Sequence, residues 1–499
     1  MNIQSFLEHH GILRNPFAEE DAQTDPVFKE HCISNAYHPI WDKVYGDPSD
    51  PSTSIIFGPK GSGKTAMRLQ IDRHLTRYNH ENSERRVYVI HYDDFNPFLD
   101  HFSERLSRRV SKKPEKVLDA WRLWDHVDAI LCIGVTDLVD RMLGINSTGK
   151  SDAIDDASIR SLDRTSARDL LLLAACYDQS TDSTFMSRWN SLRKHLRYGN
   201  LSSKTTLFGA IAWSIVAVIF VGWLFPPTTL PEGGRDLTAL WLLPLLLVIG
   251  WLPHWIRIIK CQFAALGMHR HMRVGKRETG SMRKVLQSIP KSELASQPLP
   301  RYDRTDDRYE LLHKFQGILR KLGYTGIIVL MDRVDEPHMT GGKPELMQRF
   351  VWPMLDNKLL KHPGMGFKMM LPQELHREIE RETREFHERA RLDKQNVIPA
   401  FQWTGEALYD LARARMMACA GDNQTPEPKD LFEDDVSYQR MLSAFQSLRV
   451  PRHLFRFLYR VLVDHCNHYT DSQPEFKIKA ETFESALAVY GRDNDPTFT

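Results

Sequence analysis

The 499 residues carry 66 Lys and Arg against 64 Asp and Glu, a formal net charge of +2. Near neutrality gives no global pull toward nucleic acid, and the length allows roughly two to four domains with sizeable apolar cores. Six scattered cysteines (Cys32, Cys132, Cys176, Cys261, Cys419 and Cys466) form no CxxC pair; they read as reduced thiols in a cytosolic body and not as a zinc site.

In chain order, "MNIQSFLEHHGILRN" lacks a basic segment followed by an apolar core, so no signal peptide is expected. The most specific pattern follows in "STSIIFGPKGSGKTAMRLQI": a β run from Ser54 to Phe57, then Gly58, Pro59, Lys60, Gly61, Ser62, Gly63, Lys64, Thr65 and Ala66, then helical periodicity. Glycines at that spacing let backbone N–H groups wrap a phosphate at a helix start. Lys64 is expected to reach the β and γ phosphates, with Thr65 ligating Mg²⁺. Adenine is the default base, because "DNKLL" at 356–360 has Asn357 and Lys358 but lacks the Asp of an NKxD guanine motif.

Val87 to His91 reads as a second strand, and Asp93 and Asp94 after it as loop acids. The next patterns recur at three and four, so they are helical, and 145–160 is polar. Two stretches then change the character of the chain. Thr205 to Phe225 has no charge, and Leu237 to Ile256 has His254 as its one ionisable group. Roughly 20 apolar residues suffice to span a bilayer, so residues 205–225 and 237–256 are expected to meet lipid, with Trp213, Trp223, Trp241, Trp251 and Trp255 as interfacial anchors. Arg188, Arg193, Lys194, Arg197 and Lys204 precede the pair, and Arg257, Lys260, Arg270, Arg273, Lys276 and Arg277 follow it, whereas the connecting loop has only Arg235. That asymmetry puts both flanks, and with them both termini, in the cytoplasm of a two-span protein of the inner or plasma membrane. Anionic headgroups are the expected partners of the basic runs.

The stretch from Lys64 to Asp332 is far longer than a βαβ core needs, so roughly 200 of its residues are an insertion. "GIIVLMDRVDE" then gives an apolar strand, Ile327 to Met331, ending in Asp332, where an acid on a strand neighbouring the loop can hold Mg²⁺. Asp335 or Glu336 could orient the attacking water; the sequence leaves the two open. Phe367 to Leu371 reads as a further strand.

This constellation resembles the signal-transduction (STAND) and KAP P-loop NTPases and their origin-recognition-like AAA+ relatives, on "GPKGSGKT" and the acidic cluster "LMDRVDE". KAP proteins are known for transmembrane helices between the two Walker motifs, the layout found here; their usual acidic cluster reads D-D-h-D-R, from which this one departs. The leader "HGILRNPF", with Asn15, Pro16 and Phe17, also looks like an AAA+ feature. The resemblance implies a γ-phosphate sensor at Gln373 and a second one at Arg452, which opens a helix after Pro451; Arg415 is a weaker candidate.

The expected fold class is α/β: a P-loop core with a parallel sheet, a helical insertion carrying the two-helix hairpin, and an α-helical C-terminal lid or winged-helix-like domain. The expected divisions are 1–95 (leader and first half of the core), 96–204 (helical insertion), 205–256 (hairpin), 257–304 (juxtamembrane return), 305–400 (second half) and 401–499 (lid). The expected function is a membrane-tethered, Mg²⁺-dependent ATPase acting as a nucleotide-controlled switch, of slow or negligible turnover if neither Asp335 nor Glu336 matters. The resemblance suggests signalling or phage defence, with a homo-oligomer as one open assembly. A membrane-held AAA+ protein acting on nucleic acid is the alternative, resting on the C-terminal "FKIKAETFESALAVYG". A transporter motor is disfavoured, because no LSGGQ-like signature is present.

Overall fold

A computed structural model of the protein describes residues 1–32, 37–145, 154–199, 204–224, 237–295, 297–422 and 424–493. The hairpin loop and part of the polar stretch 145–160 fall outside the described residues. The chain divides into two compact units, one made of Met1–Phe95 and Tyr324–Thr499, the other of Asn96–Gly323. The return to the first unit therefore comes at Tyr324 and not at 305. Helix Thr305–Lys321 belongs to the second unit, where its Arg308 is fully buried against Asp128.

The first unit is α/β around five parallel strands: β1 (Ser54–Gly58), β2 (Arg86–Tyr92), β3 (Tyr324–Met331), β4 (Met365–Pro372) and β5 (Asn396–Ile398), in the order β2-β3-β4-β1-β5. β1 and β4 are buried along their whole length, the environment of a strand covered on both faces. The acid-bearing β3 does not adjoin β1 as the sequence reading supposed, because β4 lies between them. The leader packs on the C-terminal helices. Arg415, on helix Gly405–Ala418, is buried; it donates to the Pro16 carbonyl at 2.7 Å, pairs with Asp25, and stacks over Phe455. Arg415 is thus a clamp between the leader and the C-terminal helices. The described residues of 401–493 form helices and contain no strand, so the hairpin that a winged helix requires is absent among them.

The second unit is helical and holds several buried ion pairs. Asp125 meets Arg273, and Arg188 meets both Asp140 and Asp178. Burial pushes the Asp125 carboxyl up to about 7 against the pull of Arg273. Helix Thr205–Leu224 and the part Trp241–His271 of helix Leu237–His271 are long and apolar enough to cross a membrane, and many of their large side chains point outward, Ile219 66% and Trp223 76% exposed.

Two expectations about this region change. Trp213 and Trp251 tie the helices to each other. The Trp213 indole donates to the Leu246 carbonyl at 2.8 Å and that of Trp251 to Ser214 Oγ at 3.0 Å; a Cβ on Gly250 would lie 1.8 Å from the Trp213 ring. Four of the flanking basic residues are also committed within the protein. Arg188 and Arg273 hold the acids just named, Arg257 donates to the carbonyls of Gln287 and Ile289, and Arg277 to that of Ala175. Their partners lie up to 148 residues away in sequence, beyond any local charge window.

One side chain interrupts the apolar run of β4. Lys368 is 1% exposed; its Nζ donates to Ser54 Oγ at 3.4 Å, and burial pushes its pKa down to about 8 from 10.5. Between those values the folded state binds fewer protons than the unfolded one, so stability should rise with pH across that window and lie on its lower plateau below pH 8. Lys368→Met should stabilise the first unit at pH 7 by on the order of 3 kcal/mol and abolish the rise between pH 8 and 10.5. Hydrogen exchange at the β4 amides reports both; an unchanged pH dependence would assign the charge elsewhere.

Candidate functional site

β1 delivers the chain to Gly58, and helix Lys64–Glu81 carries it away. The five residues between turn because Gly61 (φ 85°) and Gly63 (φ 95°) occupy left-handed backbone, where a side chain is strained. Gly61 also has no room for one, since a Cβ there would lie 2.8 Å from that of Arg452. The turn aims the helix N-terminus, with its free N–H groups, into a cavity of about 380 Å³. Trp403 braces it, donating to the Ser62 carbonyl at 2.8 Å, while Ser62 Oγ is buried without a hydrogen-bond partner among the described residues.

Lys64 folds back over this turn, donating to the carbonyls of Gly58 at 2.7 Å and Pro59 at 3.0 Å. Burial lowers its pKa, opposed by the carboxylates of Asp332, Asp335 and Glu374. The Thr65 hydroxyl donates to Asp332 Oδ2 at 2.8 Å, so residues 267 positions apart meet across the intervening β4. Asp332 is buried, and desolvation raises its pKa. Arg68 opposes that rise from 3.4 Å, with help from the Thr65 hydroxyl and the Arg333 N–H. Arg68 is itself buried and takes Asp93, just past β2, at 2.8 Å.

Lys60, Gly61, Gly63, Lys64, Thr65 and Ala66 line the cavity together with Asp332, Asp335, Glu336 and Arg452. Gly58, Pro59 and Ser62 support the turn from outside. Gln373 is not brought in: its amide donates to the Pro399 carbonyl at 2.8 Å, and Glu374 takes its place on the wall. Glu336 has its pKa raised by burial and lies 3.5 Å from the Arg333 guanidinium. Phe28, Leu411 and Phe455 add apolar surface to the lining. His38, also in the lining, meets the Phe401 ring at a tilt and the Trp403 ring edge-on, and burial lowers its pKa.

Three site residues lay outside the sequence reading: Arg68, Asp93 in a pairing role, and Glu374. Only Arg68 left a signal, a basic residue one turn after Lys64 on the same helix face. Arg68→Met leaves Asp332 buried without its guanidinium and should cost about 3 kcal/mol or more. Asp93→Asn, at a half-buried position, should cost distinctly less in the same denaturant titration; equal losses would mean that Arg68 serves Asp93 and not Asp332.

No protein-family model, no curated protein and no solved structure matches this chain.

Proposed function

We propose that the first unit binds ATP with Mg²⁺ and hydrolyses it, and that the two apolar helices tether the protein to a membrane with both flanks on the cytoplasmic side. The observation that carries this reading is the Thr65–Asp332 hydrogen bond: a hydroxyl and a buried carboxylate held together beside a lysine at a helix N-terminus. Mg²⁺ bound by phosphates needs few protein ligands, and one hydroxyl with one carboxylate fits that requirement. The metal would neutralise charge on the transferred phosphoryl group.

The chain's own groups have separate tasks. Backbone N–H groups of residues 61–65 hold the phosphates, and Lys64 exchanges its carbonyl partners for phosphate oxygens. Phe28, Leu411 and Phe455 give the base an apolar seat. Asp335 is the better candidate to orient water, because its charge acts on Lys64, whereas Glu336 is held by Arg333. Arg452 brings the C-terminal helix Pro451–His468 onto the loop through its N–H to the Gly61 carbonyl, 3.3 Å. Ligand in the cavity therefore touches both loop and lid, which supports a switch driven by nucleotide.

Lys64→Ala should abolish tight ATP binding, and Asp332→Ala should keep binding but lose Mg²⁺-dependent hydrolysis. Asp335→Asn should slow turnover by about 10²-fold or more, with Glu336→Gln within a few-fold of native; the reverse ranking would reassign the water to Glu336. Unchanged turnover in both Lys64→Ala and Asp332→Ala would remove the site assignment.

The tether has its own test. Antiparallel packed helices end about 10 Å apart, a distance that a short Gly/Ser linker spans at small entropic cost. Replacing 205–256 with such a linker should give a detergent-independent protein whose ATP affinity is within a few-fold of native. A product that stays aggregated would show the helices to be part of the fold itself.

A further inference from the structure

A second cleft, of about 760 Å³, opens on the other side of the Phe401–Trp403 wall. We propose that it binds a phosphorylated small molecule, at a site separate from the glycine turn. Pro59, Gln373, Arg377, Trp403, Ser447 and Arg449 line it, and no carboxylate does among the described residues.

The two guanidiniums are uncommitted. On helix Gln373–Glu380 the acids near Arg377 are engaged elsewhere: Glu378 pairs with Arg381 at 3.1 Å, Glu380 lies 3.5 Å from His376, and Glu374 acts on Lys64. Arg377 and Arg449 themselves have no ion pair among the described residues. Arg449 sits at φ 64°, ending helix Tyr438–Leu448. Glycine fills such a position without strain, so an arginine there carries a conformational cost.

The cleft is lined by two arginines and, among the described residues, by no carboxylate, which calls for an anion, and forked guanidiniums suit the oxygens of a phosphate. A sugar phosphate is such an anion, and the concavity suits a small molecule better than a flat protein surface.

Ribose 5-phosphate is the probe, because it has the phosphate and the hydroxyls but no triphosphate for the glycine turn. Calorimetric titration of the full-length protein in detergent micelles should show saturable binding, retained in Lys64→Ala and weakened about tenfold or more in the Arg377→Ala/Arg449→Ala double variant. Both arginines are exposed, and an unshifted thermal midpoint checks that the double variant is folded. No binding to the native protein, or equal binding by the double variant, overturns the proposal; an acidic peptide that binds through the same arginines where ribose 5-phosphate does not would transfer the cleft to a protein partner. Loss of binding in Lys64→Ala would place the probe in the glycine-turn cavity instead. Failure of the ATP reading leaves this result untouched, since neither arginine belongs to that site.

Discussion

A carboxylate at the end of a buried strand cannot hold its charge without partners, and Asp332 obtains them from three directions. Thr65 supplies a hydroxyl from the helix after β1, Arg333 its own N–H, and Arg68 a guanidinium one turn further along that helix. Arg68 is buried too, so it must be neutralised in turn, and Asp93 does this from the end of β2. One buried charge thereby fixes the ends of β2 and β3 against the helix that follows β1. It also fixes register. Met331 pairs with Met369 in β4 and with Tyr92 in β2; a slip of one residue would send the carboxylate to the opposite face and leave Arg68 unpaired.

How much of this was legible in sequence depended on distance along the chain. β1 and β3 were readable as apolar runs, and β4 as one broken by Lys368 alone, since strands buried on both faces cannot alternate. β5 was not, because three residues, Asn396–Ile398, are too few for a period to show. Lys64, Thr65 and Asp332 could be named from motif spacing, yet their meeting across β4 belongs to the sheet order. Gln373 against Glu374 is a matter of about 100° of helical rotation, which no pattern sets at the first residues of a helix. Arg68 sits one helical turn after Lys64, but the acids it meets stand just past the ends of β2 and β3, beyond any local window.

The basic flanks make the same point about charge counting. Eleven cationic residues beside two apolar helices suggest contact with headgroups, but Arg188, Arg257, Arg273 and Arg277 are committed to acids and carbonyls of their own unit. The sign of the flanks is unaltered, so the proposed orientation rests on the same charge asymmetry. What weakens is the strength of any lipid attraction, which follows free charge near the surface and not total charge. Between the helices the contact is of another kind. The Trp213 ring lies in the gap that Gly250 leaves, and indole N–H groups cross to Leu246 and Ser214; small residues with polar bridges suit a medium that gives no hydrophobic drive to association.

The sheet explains why so large an insertion can be carried where it is. β2 and β3 are adjacent and parallel, paired from Arg86 and Tyr324 to Tyr92 and Met331. Parallel neighbours cannot be joined by a tight turn; the chain must leave at one end of the sheet and come back at the other through a crossover of a dozen residues or more. Every parallel sheet therefore contains obligatory connections whose length the sheet itself does not limit. In this chain residues 96–323 occupy that one connection, the same that separates Thr65 from Asp332. The two halves of the site are split in sequence for a topological reason: the acid must stand on β3, β3 must follow a crossover, and the crossover is where chain can be added without disturbing a strand pair. Loop-closure entropy grows only slowly with length, so once β2 and β3 have paired, a long crossover costs the sheet little more than a short one.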